Sequence, residues 1–175
     1  MKNFLKWALA TFILAAGVHF ALVITVPYFI MSAIPKKLQQ AGTKINTFRH
    51  LGPVSEKSRS VVMPSPDLLY TIGIYDVSEN PIRITAKVPD TYWSLSFYQS
   101  NSDNFFVIND EQIPSKEIQV IIVGRGRSYI AAGKELVVES PSDTGVILIR
   151  TLIKDRKKLD DLITIQKAAK IKEII

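Results

Sequence analysis

Ile82-Arg83-Ile84-Thr85-Ala86-Lys87-Val88-Pro89-Asp90-Thr91-Tyr92-Trp93-Ser94-Leu95-Ser96-Phe97 is the stretch whose reading decides the fold. Ile82, Ile84, Ala86 and Val88 fall on one side of an extended chain, and Arg83, Thr85 and Lys87 on the other. Trp93, Leu95 and Phe97 then alternate with Ser94, Ser96 and Tyr98. A period of two means strands with one face buried and one solvated. Val88-Pro89-Asp90-Thr91 interrupts the run, and the two halves are expected to pair antiparallel across the Pro89-Asp90 turn.

The same period extends in both directions. Tyr70, Ile72 and Ile74 alternate with Thr71, Gly73 and Tyr75 up to Asp76, and Ser78-Glu79-Asn80-Pro81 is a turn cluster. The strand-rich region is expected to begin at Val61. Further strands are predicted at Asn104–Ile108, Ile118–Val123, Glu135–Glu139 and Gly145–Ile153, with turn residues between them. Val146-Ile147-Leu148-Ile149 suits a central strand covered on both faces. Several short strands at this spacing define a mostly β domain, an antiparallel sandwich or barrel-like sheet. A C-terminal amphipathic helix capped by Asp155 is expected to follow. Leu159, Leu162, Ile163, Gln166 and Ala169 lie on its apolar face, and Lys157, Asp161, Lys167 and Lys172 stay in water.

Toward the N-terminus the pattern changes. Trp7 to Ile34 contains no Asp, Glu, Lys or Arg. A hydrocarbon core takes roughly 20 apolar helical residues to cross, so the segment is long enough to span. A signal peptide has a shorter apolar region and a small-x-small cleavage site. Leu14-Ala15-Ala16 fits such a site poorly, and a retained anchor is expected. His19 lies inside it without a strong polar partner in sequence, which reads as a neutral imidazole. The domain organisation is then a transmembrane anchor over 1–35, a juxtamembrane basic linker over 36–60 and the β-rich domain over 61–175. Pro35 is expected to end the span and Lys36 to Ile45 to form a short amphipathic helix. Residues 46–60 read as irregular, with His50 a solvated loop residue.

The net charge of +6 is local. Residues 1–60 hold eight Lys/Arg against Glu56, while residues 61–175 are nearly balanced. Basic residues beside an anchor attract anionic headgroups, so the lipid bilayer is the expected partner and nucleic acid is not. The flanking charges disagree with outward topology: Lys2 and Lys6 precede the span, and Lys36, Lys37, Lys44 and Arg49 follow it. The chain has no cysteine, which excludes thiolate chemistry and Cys-based metal sites.

Catalytic signals are weak. Asp67 and Tyr70, at the entry to a strand, could line one end of the sheet with Asp76 and Asp90. Asp67, Tyr70 and Arg150 are the candidate catalytic groups, yet no His or further carboxylate stands at ligand spacing. A turn-capping Asp67 is the plainer reading. Gly124-Arg125-Gly126-Arg127 lacks what a phosphate loop needs and reads as a basic turn. There is no Gly-x-Ser-x-Gly, and no cofactor is expected.

Met63-Pro64-Ser65-Pro66-Asp67-Leu68-Leu69-Tyr70-Thr71 is followed by Tyr75-Asp76-Val77, Asn80-Pro81-Ile82 and Val88-Pro89-Asp90. Next come Tyr92-Trp93-Ser94-Leu95, Asn101-Ser102-Asp103-Asn104-Phe105, Pro141-Ser142, Arg150-Thr151 and Ile165-Gln166. In that order these stretches resemble the bacterial membrane-anchored family called domain of unknown function 1254, over roughly residues 30 to 170. Ser65 and Leu68 depart from the family's Asn/Arg and Thr, removing side-chain hydrogen-bonding groups. The resemblance implies a β-rich fold and an envelope location, with no established reaction. It also implies a companion, domain of unknown function 1214, which follows this domain in longer relatives and is absent here. The expectation is an inner-membrane, single-pass protein whose β domain faces the periplasm and meets a companion-family protein. Tyr75, Tyr92, Tyr98, Phe105 and Phe106 are the candidate interaction face. The alternative is a hydrolase or small-ligand domain completed by a partner.

Overall fold

The computed structural model describes residues 2–55 and 64–175. The expected strand onset at Val61, and Met63 of the family-like stretch, lie outside the described residues. Two sheets face each other. One holds β1 (Thr47–His50), β2 (Leu68–Asp76), β8 (Thr144–Leu152), β4 (Trp93–Gln99) and β5 (Asn104–Asn109), in that order across the sheet. The other holds β7 (Leu136–Glu139), β6 (Glu117–Val123), β3 (Ile82–Lys87) and β9 (Lys170–Glu173). All neighbours are antiparallel except β6 and β7. The domain is a β sandwich with a long N-terminal apolar helix, α1 (Lys2–Gln40), and a short C-terminal helix, α2 (Leu159–Lys167).

The core lies between the sheets. Ile82, Ile84, Ala86, Val120 and Ile122 pack from one side against Tyr75, Trp93, Leu95, Phe97, Ile147 and Ile149 from the other. β8 sits between β2 and β4, as its continuous apolar run predicts. The pairing expected across Pro89-Asp90 is overturned. β3 pairs with β6 and β9, and β4 pairs with β8 and β5. The chain changes sheets at Pro89, so the apolar faces of β3 and β4 meet across the core instead of lying side by side. Val88 N–H donates to Lys116 O, prolonging the β3–β6 ladder up to the crossing.

Three further expectations need correction. The C-terminal helix is one element too long: Asp155 caps a one-turn 3-10 helix by accepting from Lys157 N–H, α2 ends at Lys167, and Lys170-Ile171-Lys172-Glu173 forms β9. Ile171 alternates with lysines and packs on the core, covering the free edge of β3. Residues 47–50, expected to be irregular, form β1. α1 does not stop at Pro35 but runs through it to Gln40. It closes in a Schellman turn: Gly42, at φ +87°, donates to Gln39 O and Thr43 N–H donates to Leu38 O.

The end of α1 belongs to the domain. Met31 is buried, and Pro27, Ile34, Pro35 and Leu38, spaced to share its helix face, are half-buried. Tyr28 lines a cleft together with Gln99, Ser100, Pro141 and Ser142. On the five-stranded sheet, Ile74 and Val146 are paired neighbours pointing away from the core, yet both are buried. The last third of α1 therefore meets the domain, with Tyr28 near the end of β4 and the β7–β8 turn. Arg49 of β1 donates from Nη1 to Ala41 O, placing a cation at the helix C-terminus.

Candidate functional site

The residues singled out for chemistry are spread over β2, β8 and β4. Tyr70 lies opposite Arg150, and Arg150 opposite Ser94, forming one row on the outer face of the five-stranded sheet. Each is occupied. The Tyr70 hydroxyl accepts from Ser65 N–H at 2.9 Å, and Arg150 Nε donates to Ser94 Oγ at 3.2 Å. Asp67 is exposed, and its carbonyl accepts from Ile153 N–H. The turn is capped by Ser65, not Asp67: Ser65 Oγ accepts from Asp67 N–H at 3.3 Å. The Ser65 departure from the family pattern thus keeps a side-chain hydrogen bond.

The carboxylates do not gather. Asp67 precedes β2 and Asp76 ends it, nine residue steps or about 30 Å apart along the strand. Asp76 accepts from Ser78 N–H and Oγ, and Asp90 pairs with Lys116 at an exposed site. No group of three or more metal-ligating side chains occurs among the described residues. Gly124 to Arg127 is a structural turn. Arg127 donates to the carbonyls of Ser78 and Glu79, pinning the β6–β7 connection onto the β2–β3 turn. Gly124 has room only for hydrogen there, since a Cβ would lie 2.9 Å from Val77 O.

Of the five aromatics expected on a contact face, Tyr92 is exposed and Tyr98 half-buried. Tyr75 is fully buried and belongs to the core. Its hydroxyl meets Ser140 Oγ at 2.9 Å, and burial pushes its pKa up. Phe105 and Phe106 are half-buried against Phe97, with ring centroids 6.0 and 4.9 Å away. Sequence alone missed this because an alternating strand does not say which face meets a second sheet.

Sequence reading also missed His50 and Gln166 as tethers. His50 is half-buried in β1, with Nδ1 3.0 Å from Thr71 Oγ1. Burial, aided by Lys167, holds its pKa below 6.5. Gln166 of α2 is buried and donates to both Leu51 O and Tyr70 O. Its place on the apolar helix face was the signal: a buried amide must find partners.

A two-sheet β domain attached to an apolar helix is the class these features define. The chain matches the family described as protein of unknown function (DUF1254) over residues 45–173, and it belongs to that family. The match takes in every strand from β1 to β9. The fold is similar to the crystal structure of the VPA0106 protein from Vibrio parahaemolyticus: TM-score 0.67, 14% identity, 86% of this chain and 35% of that one. A putative uncharacterized protein from Burkholderia cenocepacia is similar at TM-score 0.48 and 18% identity, over 74% of this chain and 35% of that one. This chain thus spans about a third of the length of those chains. No curated protein matches it.

Proposed function

We propose that this protein is a non-enzymatic, single-pass anchored protein of the bacterial inner membrane. It holds its β sandwich in the periplasm and presents it to a partner of the companion family, domain of unknown function 1214. The observation that carries the reading is the size difference. A chain of this fold fills 35% of the Vibrio protein, so in that protein the sandwich is accompanied by further chain. A companion-family partner held at the same membrane would meet the sandwich at a raised effective concentration.

The anchor is supported by α1, the one helix among the described residues long and apolar enough to cross a membrane. The engagement of Tyr70 and Arg150 in structural bonds favours interaction over catalysis. Tyr92 and Tyr98 remain as accessible aromatics for a contact.

The test is affinity purification of the tagged full chain from mild detergent. A companion-family protein is expected to co-purify and to be weakened by Tyr92→Ala with Tyr98→Ala. A chain that elutes alone and monomeric at high concentration sinks the partner. A phosphatase fusion at Ile175 that is inactive, beside a fluorescent fusion that glows, sinks the periplasmic placement.

A further inference from the structure

The sandwich is open on one side. β5 and β7 are the edges there, and where β5 ends and β7 begins lies a cavity of about 660 Å³, lined by the apolar Ile108, Ile113, Ile118 and Leu136 and by the charged Glu117, Lys134 and Glu135. Ile108, Ile118 and Leu136 all belong to inner faces, by their registers with Leu95, Ala86 and Val120. Leu136 is nevertheless 40% exposed, while Val107, paired with Ser96, stands on the outer face of its sheet and is 55% exposed there. The inner layer is one strand short on this side.

The β5 edge is also unguarded. Sheet edges are ordinarily protected by charges or proline. β9 carries Lys170, Lys172 and Glu173, and β1 carries Arg49, but Asn104-Phe105-Phe106-Val107-Ile108-Asn109 has no charge. Trp93 N–H donates to Asp110 Oδ1, on the β5 side, and Asn109 N–H donates to Gln112 Oε1. In an antiparallel ladder alternate residues turn the same way, so Leu95–Ile108 and Phe97–Phe106 exchange the hydrogen bonds. Val107 N–H and C=O point outward. The register shift near Phe97 and Tyr98 and the capping box at Asn109 close the two ends, leaving space for a segment of roughly four residues.

We propose that the β5 edge receives an extended segment of a second, different protein. The segment pairs with Val107 through its backbone and fills the inter-sheet cavity with alternate apolar side chains. This is strand addition, in which the main chain gives affinity and pockets for every second residue give specificity. The strand offers no charge to pair, and at the cavity Glu135 is already paired with Arg83 while Glu117 and Lys134 offset each other, so an uncharged segment fits. A second copy of this chain fits poorly, because its own β5 side chains are already used: Phe106 stacks on Phe97, and Ile108 packs on the core. Pairing two β5 strands would leave both cavities unfilled. The proposal rests on the partner reading above and adds where and how the partner binds.

The test uses the full chain in its native membranes, with the photo-crosslinking residue p-benzoylphenylalanine placed in turn at Val107, Leu136, Tyr92 and Lys172. Val107 and Leu136 are expected to react with one partner, within one uncharged segment of alternating apolar residues, and Lys172 to stay silent. Val107→Pro removes the outward N–H while keeping the ladder to β4, and it should cut the Leu136 adduct at least tenfold. Val107→Lys, which leaves the backbone intact and adds the missing charge, should do the same. An adduct of two copies of this chain overturns the proposal. So does a Leu136 adduct that survives both variants. Adducts at Tyr92 with none at Val107 or Leu136 overturn strand addition while keeping the partner, and silence at all four positions removes both.

Discussion

Where β1 and β9 run side by side, the two sheets are joined; where β5 and β7 run, they part around a cavity. The joined side is built from specific polar and steric fits. Asn46, at φ +55°, accepts from Asp76 N–H through Oδ1 and donates through Nδ2 to Asp76 O and to Glu173 Oε1. One side chain thereby links β2 of the first sheet to β9 of the second. Gly73 leaves the space into which Phe48 of β1 and Ile171 of β9 fit, since a Cβ there would meet Phe48 Cδ1 at 2.8 Å and Ile171 Cδ1 at 3.2 Å. The open side has apolar surface and an unused backbone edge. The difference teaches that the two sides of one sandwich can be finished differently, one by polar and steric fits and the other by leaving apolar surface at the cavity.

The largest effect is expected from unpicking the sealed side. Gly73→Val should cost about 3 kcal/mol, as overpacking drives Phe48 and Ile171 apart, read as a lowered denaturation midpoint of the full chain in detergent. Near-wild-type stability would show that the Phe48 ring and the Ile171 side chain move aside freely. Asn46→Ala removes the Asp76 and Glu173 bonds and leaves alanine in a left-handed conformation, a loss of about 2 kcal/mol. Glu173→Gln, which retains an acceptor, should cost much less.

Acidification probes the same side through His50. Unfolded, His50 takes up its proton near 6.5, and folded only at lower pH. The unfolded state therefore binds more protons in that window. Stability is full above about 6.5 and declines as pH falls toward and through the folded value. His50→Gln should flatten this part of the stability profile in unfolding measured at stepped pH. The smallest effect belongs to the open side: Val107→Thr should change stability by less than about 0.5 kcal/mol. A larger loss would mean that β5 is held by its outward face after all.

The strands were legible because each carries its own period. β2, β4, β6 and β8 lie within a residue or two of where alternation places them. Which strands share a sheet was not legible, since Pro89 reads equally as a hairpin turn and as a crossing. β9 was hidden because Ala169 continues the helical face of α2, although Ile171 between two lysines already has strand period. The true stop of α1 was written in Ala41-Gly42-Thr43, a left-handed C-cap, while Pro35 drew the boundary too early. For the candidate site, the sequence supplied Tyr70 and Arg150 as chemical types but not their partners Ser65 and Ser94, which lie five and fifty-six residues away. The Tyr75 ring packs over Gly145, where a Cβ would collide with the Tyr75 side chain and with Tyr98 O, a fit visible only in three dimensions.

The unbroken α1 has a mechanical meaning. At 39 residues it is about 58 Å long, nearly twice the thickness of a hydrocarbon core. Its last third is clamped to the sandwich, with Met31 buried and Ala41 held by Arg49. Inserted in a bilayer, helix and domain would turn as a single lever. Tilt imposed on the buried part by a thinner or thicker membrane would swing the β5 edge through the same angle, so lipid composition would set the direction in which that edge faces.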